Sequence, residues 1–128
     1  MSDKFVVEII SPDQKILKSE ATEVTIPSFE GQMGILNNHI PLITFLRPGI
    51  ITIKTEGEKK YYVEEGTVEF SNNNLLILTS TARDLANFDK SSFNELLQKA
   101  ESNLNAQSTD KERYVASYKL DTLKEISQ

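Results

Sequence analysis

Three groups of residues in this 128-residue chain carry chemistry-bearing side chains at suggestive spacings. The first is the sole histidine, His39, set between Asn38 and Ile40-Pro41. An imidazole can act as acid, base or metal ligand near neutral pH. No serine or pair of acids stands near it in the sequence, so it reads as a hydrogen-bonded turn or contact residue, not a catalyst. The second group is Glu64-Glu65, two carboxylates of the kind that share acid–base work. Neighbours on a strand point to opposite faces, which keeps the two from converging and leaves them as a solvated edge. The third is Gly31-Gln32-Met33-Gly34. It is too sparse in glycine for a phosphate loop, and no Lys-Ser or Lys-Thr follows it. Its plainer reading is a turn with an exposed tip that touches something.

Composition narrows the field further. The chain has no cysteine, which excludes disulfides, thiolate zinc sites and thiol nucleophiles. Net charge is −5, and lysine and arginine are scattered, so no basic stripe can neutralise a phosphate backbone. Nucleic acid is not an expected partner. Apolar runs are a few residues long, far short of the ~20 that a membrane helix needs, so direct lipid insertion is not expected either. The opening Met1-Ser2-Asp3-Lys4 lacks the basic start and long apolar centre of a signal peptide. No catalytic residue, metal ligand or cofactor is assigned.

The elements that must hold these groups change grammar once. Phe5–Ile10, Glu23–Ile26, Gly49–Thr55, Lys60–Val63, Gly66–Ser71 and Leu75–Thr79 read as strands, several alternating polar with apolar. Ser11-Pro12-Asp13 is a turn, and Pro27 is expected to end the strand before it. Glu56-Gly57-Glu58-Lys59 and Asn72-Asn73-Asn74 read as hairpin loops, with Gly57 and the asparagines supplying left-handed backbone. After Asp84 the period lengthens. Ser92-Phe93-Asn94-Glu95 has the form of a capping box, and Phe93, Leu96, Leu97, Ala100 and Leu104 follow at helical spacing. That helix should fray around Asn105-Ala106-Gln107-Ser108. Thr109-Asp110-Lys111-Glu112 opens a second, with Tyr114, Val115, Tyr118, Thr122, Leu123 and Ile126 on one broad face. The expected fold is mainly β with an α appendage. An antiparallel β-sandwich of short strands, residues 1–86, precedes an antiparallel two-helix hairpin, residues 87–128.

The segment Ile26-Pro27-Ser28-Phe29-Glu30-Gly31-Gln32-Met33-Gly34-Ile35, then His39-Ile40-Pro41-Leu42 and Arg47-Pro48-Gly49, resembles a family signature. The family is the epsilon subunit of the F-type ATP synthase. There glycine-acid-leucine-glycine-isoleucine precedes histidine-alanine-proline-leucine and a lysine- or arginine-proline-glycine. Val63–Phe70 and Asn74–Ala82 are similar to its later strands, although Thr79-Ser80-Thr81-Ala82 lacks the family's aspartate. The resemblance spans residues 5–84 and continues over the tail as architecture, implying about ten strands and then the hairpin.

It implies a non-catalytic rotor subunit of the central stalk, coupling proton flow through the c-ring to ATP synthesis. His39, Ile40, Pro41 and Leu42 would meet the gamma shaft; Glu30, Gly31, Gln32, Met33 and Gly34 would face the c-ring. Gln32 replaces the acid usual in that tip, leaving Glu30 for any charged contact. Some members bind ATP between the helices through an isoleucine- or leucine-aspartate-x-x-arginine-alanine motif. The matching window Phe88-Asp89-Lys90-Ser91-Ser92-Phe93 keeps Asp89 but has Ser92 for the arginine and Phe93 for the alanine, so no nucleotide site is expected. Asp89 is instead expected to favour a helix dipole. The second helix mixes Lys111, Arg113, Lys119 and Lys124 with Asp110, Glu112, Asp121 and Glu125. Its charge balance leaves only weak contact with alpha and beta subunits and weak regulation of ATP hydrolysis. The expected location is peripheral, on the cytoplasmic face of the bacterial plasma membrane within the synthase. The alternative reading is a free-standing β-sandwich module that binds a small ligand or peptide.

Overall fold

Alternation drives the chain into ten short strands: β1 (Phe5–Ile10), β2 (Lys15–Ala21), β3 (Glu23–Ser28), β4 (Gly31–Leu36), β5 (Leu42–Leu46), β6 (Gly49–Lys54), β7 (Glu58–Val63), β8 (Gly66–Ser71), β9 (Asn74–Leu78) and β10 (Arg83–Asp84). A 3-10 turn over Leu85–Asn87 leads to α1 (Lys90–Ala106) and α2 (Asp110–Ile126). The computed structural model describes residues 4–87, 89–106 and 109–126. The strands form one curled sheet in the order β10-β7-β6-β3-β5-β8-β9-β1-β2, with β4 added to β3. All pairings are antiparallel except β1 with β9, which runs parallel from Val6↔Asn74 to Ile10↔Leu78. Ser28↔Leu46 is the single pairing of β3 with β5. There the sheet folds over into two layers.

In β1, Phe5, Val7 and Ile9 turn inward and are buried, while Val6, Glu8 and Ile10 face out. Ile51 and Ile53 of β6, Val68 and Phe70 of β8, and Leu75 and Ile77 of β9 obey the same period and meet them. Each such side chain, withdrawn fully from water, contributes about 1.5–3 kcal/mol. Phe5 and Phe70 touch edge to face, centroids 5.6 Å apart, a preferred arrangement for aromatic quadrupoles.

Several local expectations need correction. Pro27 does not end β3: the strand runs through it to Ser28, and Pro27 lies opposite Gln32 of β4. Proline lacks a donor but keeps its acceptor, and the Pro27 carbonyl takes the Arg47 N–H at 2.9 Å. Gly31–Gly34 is not a tip but the first part of β4. The turn is Phe29-Glu30, with Gly31 at φ +127° behind it, whereas Gly34 sits in regular pairing with Thr25. Gly57 does not take a left-handed angle; the Thr55 hydroxyl accepts its N–H at 3.3 Å and closes that loop. Asn72 and Asn73 do take one, at φ 51° and 59°, the mirror-image geometry of a two-residue hairpin turn. Ser92 does not cap α1, which begins two residues earlier. Asp89 does, receiving the Ser91 N–H at 3.3 Å and the Ser91 and Ser92 hydroxyls at 3.1–3.2 Å. A carboxylate preceding the first turn outcompetes a hydroxyl within it. At α2 the N-cap half of the box is present: Thr109 Oγ1 accepts the Glu112 N–H at 3.1 Å.

The hairpin builds a separate apolar cluster. Phe93 and Ala100 of α1 and Leu120 and Leu123 of α2 close over Tyr62, on the outward side of β7, with Leu85 beside it. Among the described residues, none from the helices belongs to the sandwich core. A chain cut to residues 1–86 is therefore expected to melt cooperatively with its sheet intact, although truncation uncovers Tyr62 and Leu85 and removes the helical partners of Phe29, Arg47 and Glu64. A broad, non-cooperative thermal transition in circular dichroism would show instead that the hairpin is needed to close the sandwich.

Candidate functional site

The sandwich has two outer faces with different chemistry. On β3, β6 and β7, cross-strand neighbours Thr25, Thr52 and Lys60 form one outward row, and Glu23, Lys54 and Glu58 another. Lys54 pairs with Glu23 at 4.0 Å and Lys60 with Glu58 at 3.4 Å. Those rows suit water, while Tyr62 farther along the same face lies under the hairpin. On β5, β8, β9 and β1, one row is Phe45, Thr67, Leu78 and Ile10, and the next is Ile43, Glu69, Leu76 and Glu8. Here Ile43 is 71% exposed, Phe45 61% and Leu78 45%. Ile40, in the β4–β5 connection, is also largely exposed. A contiguous apolar face of this kind marks an interaction surface. At its upper end it deepens into an open groove of about 930 Å³, bordered by Ile10, Phe29, Phe45 and Leu78 and by Lys111 of α2.

The residues expected to make contacts fall at the two ends of the strands. Phe29-Glu30 lies beside Ser28, Leu46 and Gly66; the His39 loop lies beside Phe70 and Asn74. Glu30 and Gln32 are exposed, Gly31 less so, and Met33 packs against the core. His39 is half-buried: its ring stands edge-on to Phe70 at 5.9 Å, and Nδ1 donates to the Ile40 carbonyl at 2.7 Å. In the neutral ring that bond leaves Nε2 as the acceptor. The β8–β9 turn clamps this loop. The Asn38 N–H donates to Asn73 Oδ1 at 2.7 Å, and Asn73 Nδ2 donates to Asn37 Oδ1 at 2.7 Å. Ile40 and Pro41 are exposed, whereas Leu42 turns toward the core.

Glu64 and Glu65 do not lie on a strand; they form the β7–β8 connection. Both backbone N–H groups donate to Thr81 Oγ1. Glu65 is solvated, but Glu64 is not a free edge residue. It receives the Tyr62 hydroxyl at 3.2 Å and pairs with Lys119 of α2 at 3.1 Å. Burial pushes the Tyr62 phenol well above its ordinary range, and the Glu64 charge adds to the effect, so Tyr62 stays a neutral donor. Two partly exposed ions tie the hairpin down only modestly.

A second junction escaped the sequence reading. The Arg47 guanidinium lies 3.8 Å above the Tyr118 ring and donates to the Tyr114 hydroxyl at 3.2 Å. That hydroxyl donates onward to the Phe29 carbonyl at 3.0 Å. Phe29 and Tyr114 stack with centroids 5.7 Å apart. The only sequence cue was that Arg47 opens the Arg47-Pro48-Gly49 motif; its partners lie far along the chain.

At the degenerate nucleotide window, Asp89 is occupied with Ser91 and Ser92, hydrogen bonds that hold its carboxyl below its ordinary value. Phe93 is buried in the hairpin cluster. Phe88 and the Lys90 side chain lie outside the described residues. The Asp89 cap stabilises α1 above the ordinary carboxyl pKa, and that contribution disappears as pH falls through the lowered folded-state value. Among the described residues no histidine and acid cluster could hold a metal, and no helix is long and apolar enough to cross a membrane.

Comparison with known proteins adds the family. The family model for the ATP synthase, Delta/Epsilon chain, beta-sandwich domain matches residues 4–84. The ATP synthase epsilon chain of Pelagibacter ubique is 48% identical, with 99% of this chain and 100% of that one covered. That of Afipia carboxidovorans is 34% identical over 97% and 92%. Among solved structures, a chain of the Euglena gracilis mitochondrial ATP synthase, OSCP/F1/c-ring, superposes with TM-score 0.79 at 21% identity. It covers 100% of this chain and 84% of that one.

Proposed function

We infer, from the premise that this chain belongs to the delta/epsilon family of ATP synthase chains, that its apolar face is where it joins the rotor. Its function is that of an epsilon chain, a non-catalytic component of the central stalk that couples proton flow to ATP synthesis. The end-to-end match to an epsilon chain leaves no support for a free-standing ligand-binding module. It works within a membrane-associated complex.

Beyond that, the outward β5–β8–β9–β1 face, with Ile40 and Pro41 at its lower end and the His39 Nε2 beside them, meets the gamma shaft. The observation that carries this reading is the exposure of Ile43 and Phe45 on one face of the sandwich, whereas the apolar Tyr62 on the other face is already covered by the hairpin. Apolar side chains in a contact supply most of its energy, and interspersed polar residues such as Glu69 and Glu8 supply register. The Glu30–Gly34 segment, with Glu30 and Gln32 exposed, meets the c-ring, a component of the solved synthase assembly whose chain this one resembles. A subunit with contacts on one face and at one end must not shear, and a close-packed two-layer sheet is stiff. The combined contact should exceed ~1,000 Å². Lys119 is already paired with Glu64, so α2 has little unspent positive charge for the alpha and beta subunits. In a bacterial cell the chain, on this reading, works at the cytoplasmic face of the plasma membrane.

Affinity capture from detergent-solubilised membranes, with the full chain as bait, tests the assignment. Gamma and c subunits should be recovered together, and recovery of neither would overturn it.

A further inference from the structure

We infer that shaft binding at the apolar face and seating of the helical hairpin are thermodynamically coupled through Phe29, each strengthening the other. The inference rests on the reading of that face as the shaft contact. Phe29 belongs to both parts at once. Its N–H donates to the Phe45 carbonyl at 3.1 Å, fixing it to β5. Its own carbonyl accepts the Tyr114 hydroxyl at 3.0 Å, and its ring stacks on Tyr114, tilted by only 18°. The other side of that ring borders the groove and leaves the residue 38% exposed. Tyr114 is in turn held by Arg47 and touches Tyr118, centroids 4.7 Å apart.

The groove has a wall from each part: Phe45 and Leu78 from the sandwich, and Lys111, one turn ahead of Tyr114, from α2. An apolar side chain of the shaft seated there covers the free side of Phe29. It removes the ring's alternative rotamers and strips water from the stack and from the hydroxyl bond beside it. Hydrogen bonds and aromatic contacts strengthen when water leaves. With the hairpin lifted, Phe29 loses Tyr114, and the groove loses its Lys111 wall. The same partner then has less to bind. Differential affinity for two states is what coupling requires, and it is reciprocal.

The test is amide hydrogen exchange over residues 114–123 of the full-length chain, free and bound to the gamma subunit of its own enzyme. A parallel oxidative footprint of Ile43, Phe45 and Leu78 reports whether the face is covered. Binding should slow exchange in α2 about tenfold, a typical coupling. The bound-to-free ratio should fall to about one in Phe29→Ala and return in Phe29→Tyr, which keeps the stack. Covered face residues with unchanged α2 exchange would overturn the coupling and leave the shaft contact standing. Undiminished slowing in Phe29→Ala would also overturn it. Face residues left uncovered in the complex would overturn the contact reading and the coupling together.

Discussion

Phe45→Asp should leave the isolated chain folded and remove it from the synthase. Phe45 points outward from β5 opposite Thr67 and is 61% exposed. In the free subunit the substitution therefore opens no cavity, and its cost is that of a poor strand former on a wet face, under about 1 kcal/mol. In the assembly the new carboxylate is stranded in a dry contact without a partner. An unpaired buried charge costs about 3–5 kcal/mol, which weakens binding by roughly two to three orders of magnitude. Phe45 is a cleaner probe than Ile43, since Ile43 sits opposite Glu69 and an aspartate there would add like-charge repulsion within the free chain. Thr52→Asp on the polar face is the control and should change neither property. A thermal melt and a gamma-binding titration on the same preparations decide the matter. If Phe45→Asp lowers the melting temperature of the free chain as much as it weakens binding, the residue is structural and the face has been misassigned.

Gly66→Ala should strongly destabilise the sandwich. Gly66 opens β8 at φ +157°, and a Cβ built there would lie 2.6 Å from the Leu78 carbonyl oxygen and 3.0 Å from Leu46 Cδ1. The carbonyl belongs to backbone at the end of β9, so relief requires prising β8 from β9. Backbone strain and overpacking each cost about 1–3 kcal/mol, a large share of the ~5–15 kcal/mol that holds a domain together. The melting temperature should drop by more than about 10 °C. Gly34→Ala makes the contrast: the nearest atom to its Cβ would be Glu23 Oε1 at 3.8 Å, and its φ is ordinary. Little or no loss is expected there. Equal losses at both positions would mean that added bulk anywhere in the sheet, not the Leu78 approach, sets the cost.

What could be read from the sequence depended on whether a strand has one wet face. β1, β3, β6, β8 and β9 alternate at least in part, and their inward residues were legible as core. β5, Leu-Ile-Thr-Phe-Leu, buries Thr44 and exposes Ile43 and Phe45. Its outward positions are apolar, so it shows no polar beat. The feature that makes it useful is the feature that concealed it. β4 was hidden by two glycines that suggested a turn, and β2 by the charged residues an edge strand carries. The face of α1 was legible because Phe93, Leu96, Leu97 and Ala100 keep strict spacing, whereas the reading of α2 missed the buried Ala116 and Leu120. The cap of α1 was misplaced because serine and aspartate compete for the same role three residues apart. The loop around His39 was visible as punctuation, and the family resemblance supplied partners that no residue pattern could name. Arg47 on Tyr118 joins positions that only the folded chain brings together, so no local pattern announces it.

The parallel pairing of β1 with β9 also governs when the protein can come into being. As the chain leaves the ribosome, β1 and β2 emerge first and can form a hairpin, yet the second neighbour of β1 has still to be made. Val7 and Ile9 stay wet until Leu75 and Ile77 emerge. Only then can Val6 meet Asn74, closing a loop that contains nearly the whole sandwich. Closing long loops before the reward of contact costs entropy, and folds built on such pairings are slow. Through most of its synthesis the nascent chain thus carries unpaired strand edges and bare apolar residues, the condition in which chains aggregate.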